Sequence, residues 1–139
     1  VVAEEGTKFV IAYDKIGVSP DCGGTWFLAR KVGAALASEM MILSRTLDAA
    51  EAKAAGVVNF VAPQGELETA AAELAAKVAR GATRAFGHFR RLNDMALSTP
   101  LADQLEAERD AFIASTGTAD FRDGVSAFLG KRKPVFRGE

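Results

Sequence analysis

Two kinds of hydrophobic pattern follow one another along the chain, and the change comes near residue 65. Lys8 to Tyr13 is aromatic and β-branched, which predicts a buried strand. Gly17 to Gly24 holds three glycines with a serine, a proline and an aspartate, and reads as a loop. A helix is predicted through Trp26, Phe27 and Leu28 to Arg30, ending near Gly33. A second runs from Ala34 to about Leu43, with Leu36, Met40 and Leu43 at helical spacing on one face. Asp48 and Glu51 have the spacing of a capping box, and Gly56 stands where a left-handed cap would end that helix. Val57 to Val61 predicts a short strand, which Pro63 closes.

Beyond that point every period is helical. Glu66 to Arg80, Thr83 to Leu97, a segment opened by Thr99-Pro100 and running to about Ser115, and Asp120 to Lys131 each predict one helix. Thr99 is the expected N-cap and Pro100 the first-turn proline. The expected organisation is a mixed α/β region over 1–65 and a helical region over 66–139.

Composition narrows the classes without choosing among them. The 139 residues, 49% hydrophobic and 25% charged, suffice for one sizeable core. A formal net charge of -1 gives no global field for nucleic acid. The single cysteine, Cys22, excludes a disulfide within the chain and makes a cytoplasmic setting the expectation. No signal-like start and no uninterrupted apolar stretch of spanning length is present, so no membrane role is expected. The chain starts on Val1, almost directly at a strand-like pattern, as a piece of a longer protein would.

Chemistry concentrates in Ser19-Pro20-Asp21-Cys22-Gly23-Gly24-Thr25-Trp26. Asp21 stands at a loop-to-helix junction among glycines that let backbone approach a ligand closely. A helix N-terminus would favour its charged form while burial would push its pKa up, a tension that suits a base acting beside a carbonyl. By residue type alone, an aspartate at such a junction is more often a helix cap.

Three blocks then carry a family resemblance, in order and over nearly the whole chain. They are KFVIAYDKIGVSPDCGGTWFLARKVG (8–33), DAAEAKAAGVVN (48–59) and FRDGVSAFLGKRKPVF (121–136). Together they resemble the C-terminal half of the crotonase superfamily of enoyl-CoA hydratases and isomerases. The resemblance implies the second half of a crotonase-type (ClpP/crotonase) α/β spiral core followed by a helical C-terminal region used in oligomerisation. Hydratases of the family place an acid/base glutamate where this chain has Tyr13. Isomerases carry an aspartate at the position of Asp21, closest to the phenylacetate-pathway type. The implied reaction is therefore double-bond isomerisation of an enoyl-CoA through an enolate, with Asp21 as the one carboxylate proton shuttle.

The resemblance also implies that Phe128 and Lys131 reach a coenzyme A bound by a neighbouring subunit, an aromatic near the adenine and an ammonium on a phosphate. Coenzyme A enters as part of the thioester substrate, and no tightly bound cofactor is expected. The expected partners are an acyl-CoA, a homotrimer or hexamer, and an N-terminal half of the same protein that holds the oxyanion donors. Hydration is the nearest alternative reaction. A non-catalytic acyl-CoA-binding or assembly module is the alternative of another class. Cys22 reads as a small buried filler, His88 as a packing or surface residue, Trp26 as core or acyl-pocket lining, and Glu4 and Glu5 as solvated turn residues. No ligand spacing suggests a metal.

Overall fold

Short strand pairs and one hydrophobic cluster organise the first of two units, Val1–Ala72; the second is Glu73–Glu139. The computed structural model describes residues 1–139. Strand β1 (Val2–Glu4) runs parallel to β4 (Phe60–Ala62), with Ala3 opposite Val61. Strand β2 (Lys8–Phe9) runs antiparallel to β3 (Leu47–Asp48), with Phe9 opposite Leu47. Between β2 and β3 lie a 3-10 turn (Tyr13–Ile16) and helices α1 (Gly24–Val32) and α2 (Ala34–Ile42). Helix α3 (Ala49–Ala54) connects β3 to β4.

The core of this unit is Ala3, Met40, Leu47, Ala52 and Val58, with Phe9, Ile11, Leu28, Leu36 and Val61 packed against it. Met40 and Leu47 are the large side chains that become fully buried. Small alanines at Ala3 and Ala52 let helix and strand backbones approach closely around them.

Several local expectations shift. The strand expected over Lys8 to Tyr13 is paired only at Lys8–Phe9, because β3 offers just two residues, and Tyr13 opens the 3-10 turn instead. The strand expected over Val57 to Val61 begins at Phe60. Its first two residues finish the preceding turn, with both Val57 and Val58 N–H donating to the Ala52 carbonyl. Glu4 is a strand residue whose carboxylate accepts from Gln64 Nε2 at 2.9 Å and from the Gly65 N–H. Leu43 lies past the end of α2 and is 71% exposed, so the buried face of that helix is Leu36, Ala37 and Met40.

Helix α4 (Leu67–Ala79) spans the boundary in sequence. The second unit then holds α5 (Thr83–Met95), α6 (Leu101–Thr116) and α7 (Ala119–Leu129), with α5 packed on α6 and α6 on α7. Pro100, not Thr99, takes the N-cap of α6, and no side chain caps that helix. Thr118 caps α7, accepting from the Phe121 N–H at 3.0 Å. The C-terminal tail is bound back to this helix. The buried Asp120 carboxylate accepts from the N–H groups of Arg137 (2.7 Å) and Gly138 (2.9 Å). Asp123 accepts from Val135 N–H at 2.7 Å and from the Arg132 guanidinium. Many large apolar residues of α5 to α7 remain exposed, Leu101, Phe89, Phe112, Phe128 and Leu129 the most. Patches of that kind mark surfaces that other chains or ligands cover.

Candidate active site

Asp21 reaches its place through two consecutive left-handed residues. Cys22 (φ 50°) and Gly23 (φ 78°) turn the chain sharply between the aspartate and α1. Gly23 is the N-cap of α1, and no side chain caps the helix. The aspartate contributes only its backbone there, its carbonyl accepting from Gly24 N–H at 2.8 Å. The cap role expected from residue type is therefore not the one Asp21 performs. A side chain at residue 23 would also meet the Phe27 ring at about 3.0 Å, a second reason for glycine besides its φ.

The carboxylate is left to a different partner. Tyr13 Oη donates to Asp21 Oδ1 at 2.7 Å. Tyr13 heads the 3-10 turn, which Gly17 closes in the left-handed region. The loop folds back over that turn, with Val18 N–H donating to the Tyr13 carbonyl at 3.2 Å. Ser44 Oγ donates to Asp14 Oδ1, which ties the same turn to the segment between α2 and β3. Ser44 is itself left-handed (φ 47°).

Electrostatics follow from the Tyr13 contact. The donated hydroxyl holds the Asp21 carboxyl below the usual carboxylate range, and the Cys22 thiol adds in the same direction. The tyrosine responds oppositely, since its hydrogen bond to Asp21, and then the charge there, push the phenol above its ordinary value. At neutral pH the pair is thus a carboxylate and a protonated phenol. Asp21 is exposed, so the upward push expected from burial is outweighed by the hydrogen bond.

No local pattern signals this pairing, because it depends on how the chain turns between its partners, where Gly17 is left-handed. Around it, Trp26 is 49% exposed beneath Arg30, whose guanidinium carbon lies 3.7 Å from the ring centroid. Phe27 is exposed too, and only Leu28 of the three turns to the core. Cys22, expected as a buried filler, is instead an exposed free thiol, because its left-handed backbone stands in the loop ahead of α1.

The two other predicted residues lie in the second unit. Phe128 is 83% exposed and helps line an apolar pocket of about 380 Å³ with Phe121, Val125, Leu129 and Phe136. Lys131 follows Gly130 at the end of α7, with a left-handed backbone (φ 51°) and an exposed side chain. Its N–H donates to the Phe128 carbonyl at 3.2 Å, so one helix terminus presents both residues. No group of three His, Cys, Asp or Glu side chains is arranged to hold a metal ion. No helix is long and apolar enough to cross a membrane.

Comparison with known proteins decides the family. The enoyl-CoA hydratase/isomerase family model matches residues 1–139. The chain belongs to the enoyl-CoA hydratase/isomerase family. It is 39% identical over 139 residues to 1,2-epoxyphenylacetyl-CoA isomerase of Escherichia coli, covering all of this chain and 53% of that protein. It is 36% identical to 2,3-dehydroadipyl-CoA hydratase of the same organism, over 99% of this chain and 54% of that one. A solved enoyl-CoA hydratase from Polaromonas superposes with a TM-score of 0.91 at 37% identity, covering 98% and 53% of the two chains. The chain thus has a crotonase-type fold and spans about half the length of the relatives it matches. Members with isomerase and with hydratase names both lie close to it, so family membership leaves the reaction open.

Proposed function

We propose that the protein to which this chain belongs isomerises an enoyl-CoA thioester, with Asp21 moving the proton. The observation that carries the reading is the 2.7 Å contact between Tyr13 Oη and Asp21 Oδ1. It pairs Asp21 with a phenol and not with a second carboxylate of this chain. Water addition is well served by two carboxylates that hold one water between them. A double-bond shift needs a single base that removes a proton at one carbon and returns it at another.

In a 3-enoyl-CoA the Asp21 carboxylate takes a proton from C2. The C–H electrons form the C1–C2 double bond of an enolate, and negative charge collects on the thioester oxygen. Collapse of the enolate moves the double bond to C2–C3, and the Asp21 carboxyl returns its proton at C4. Backbone N–H donors around that oxygen lower the barrier. In this reading they come from a segment outside this chain, which also covers the exposed Asp21 and the apolar residues beside it. Excluding water there strengthens the base. An isomerase of an epoxyphenylacetyl-CoA at 39% identity stands with this reading, beside hydratases at 38% and 36%.

The same reading extends to the second unit. Phe128 and Lys131 approach the adenine and a phosphate of a coenzyme A held by a neighbouring copy, and the exposed apolar residues of α5 to α7 meet other copies in a trimer or hexamer. Coenzyme A arrives with the substrate, and the enzyme works in the cytoplasm. The deciding experiment offers the complete protein a panel of 2-enoyl-, 3-enoyl- and epoxyaryl-CoA thioesters and follows double-bond shift, ring isomerisation and water addition separately. Isomerisation faster than hydration by at least about tenfold is the expected result. Hydration as the faster reaction would overturn the proposal, and no turnover of any thioester would favour a non-catalytic module.

A further inference from the structure

We infer that Tyr13 is a positioning residue for Asp21, and that the Ser44–Asp14 hydrogen bond fixes the turn that presents it. This rests on the reading of Asp21 as proton shuttle.

The geometry is a short relay of named contacts. Ser44 Oγ donates to Asp14, the second residue of the 3-10 turn. The turn holds Tyr13 half-buried, with its hydroxyl on Asp21 Oδ1. The Val18 N–H bond to the Tyr13 carbonyl and the left-handed Gly17 close the turn, so the phenol has little freedom to leave. On the other side no helix N–H holds the exposed carboxylate, since Gly23 caps α1, and the neighbouring Cys22 thiol is a weaker second donor than the Tyr13 hydroxyl. The hydroxyl is the side-chain donor that fixes the aim of this aspartate. Because Tyr13 engages Oδ1, Oδ2 is assigned as the oxygen that faces substrate. An exposed carboxylate without such a donor would sample several rotamers, and misaligned proton transfer is slow.

The charge state gives the relay a signature that simple structural support lacks. A donor on the carboxylate favours the ionised form, so removing it moves the Asp21 pKa up toward the ordinary carboxylate range. The base must be ionised to act. The acid limb of isomerisation should therefore lie at higher pH in Tyr13→Phe than in the native enzyme.

The test compares native, Tyr13→Phe, Ser44→Ala and the double variant as complete enzymes, by pH profiles of kcat and KM for isomerisation of a 3-enoyl-CoA. Tyr13→Phe should move the acid limb upward and lower plateau kcat about tenfold, with KM changed less than about twofold. Ser44→Ala should show the same shift in smaller degree, and the double variant should match Tyr13→Phe alone, because the tether acts through the tyrosine. An unmoved acid limb with native kcat in Tyr13→Phe overturns the inference. So does additivity of the two substitutions. Asp21→Asn, assayed alongside, separates the two claims: an inactive Asp21→Asn with an unaffected Tyr13→Phe removes only the positioning role, whereas an active Asp21→Asn removes the shuttle and the positioning role with it.

Discussion

Two aspartates of this chain stand just before helices, and they do opposite things. Asp48 closes a capping box: its carboxylate accepts from Glu51 N–H at 2.8 Å, and the Glu51 carboxylate accepts from Asp48 N–H at 3.0 Å. Asp21 has the same residue type at the same kind of junction, yet its carboxylate touches no helix N–H and takes the Tyr13 hydroxyl instead. The difference lies in the backbone between acid and helix. Asp48 is extended (φ -78°, ψ 177°) and leads directly into α3, so its side chain lies over the first turn. After Asp21 the left-handed pair Cys22 and Gly23 swings the carboxylate away from α1. A helix start left without a side-chain cap beside an aspartate is thus a sign that the acid serves something else.

Four substitutions sharpen or break that contrast. The largest loss of stability is expected from Asp120→Ala, a third acid beside a helix start, whose buried carboxylate satisfies the Arg137 and Gly138 N–H groups. Unpairing them should cost about 2 kcal/mol in urea unfolding and free the tail to proteolysis. Gly23→Ala attacks the turn that frees Asp21. Its left-handed φ and the Phe27 contact should cost about 1–2 kcal/mol and lower isomerisation by misaiming the acid. Asp48→Ala should cost about 1 kcal/mol with turnover retained, since that acid only caps. Smallest is Asp21→Asn, whose thermal midpoint should stay within about 2 °C of native. A large fall in that midpoint would mean that Asp21 is structural after all, and the contrast would collapse.

What could be read from residues alone was what depends on near neighbours. The capping box and the left-handed Gly56 are visible because helix ends are governed by residues three or four apart. The helices of the second half declare themselves by period, with ends displaced by a residue or two where Pro100 and Thr118, rather than Thr99 and Asp120, set the boundaries. Strand β1 was invisible, because three residues gain strand character only from parallel pairing with Phe60–Ala62, far along the chain. The exposure of Leu43 and Trp26 was equally hidden, since periodicity locates a face but not what covers it. At the site, the family blocks singled out Asp21. That Tyr13 is its partner depended on loop conformation, which no local pattern encodes.

The central claim, that Asp21 is kept free of the helix in order to move a proton, is tested most directly by the rate of double-bond shift in Asp21→Asn. With the complete protein and a 3-enoyl-CoA, kcat should fall about 10²- to 10⁴-fold while folding and subunit assembly match the native enzyme. A folded Asp21→Asn enzyme that isomerises within a few-fold of the native rate would contradict the account and leave Asp21 as a loop residue with a hydrogen bond.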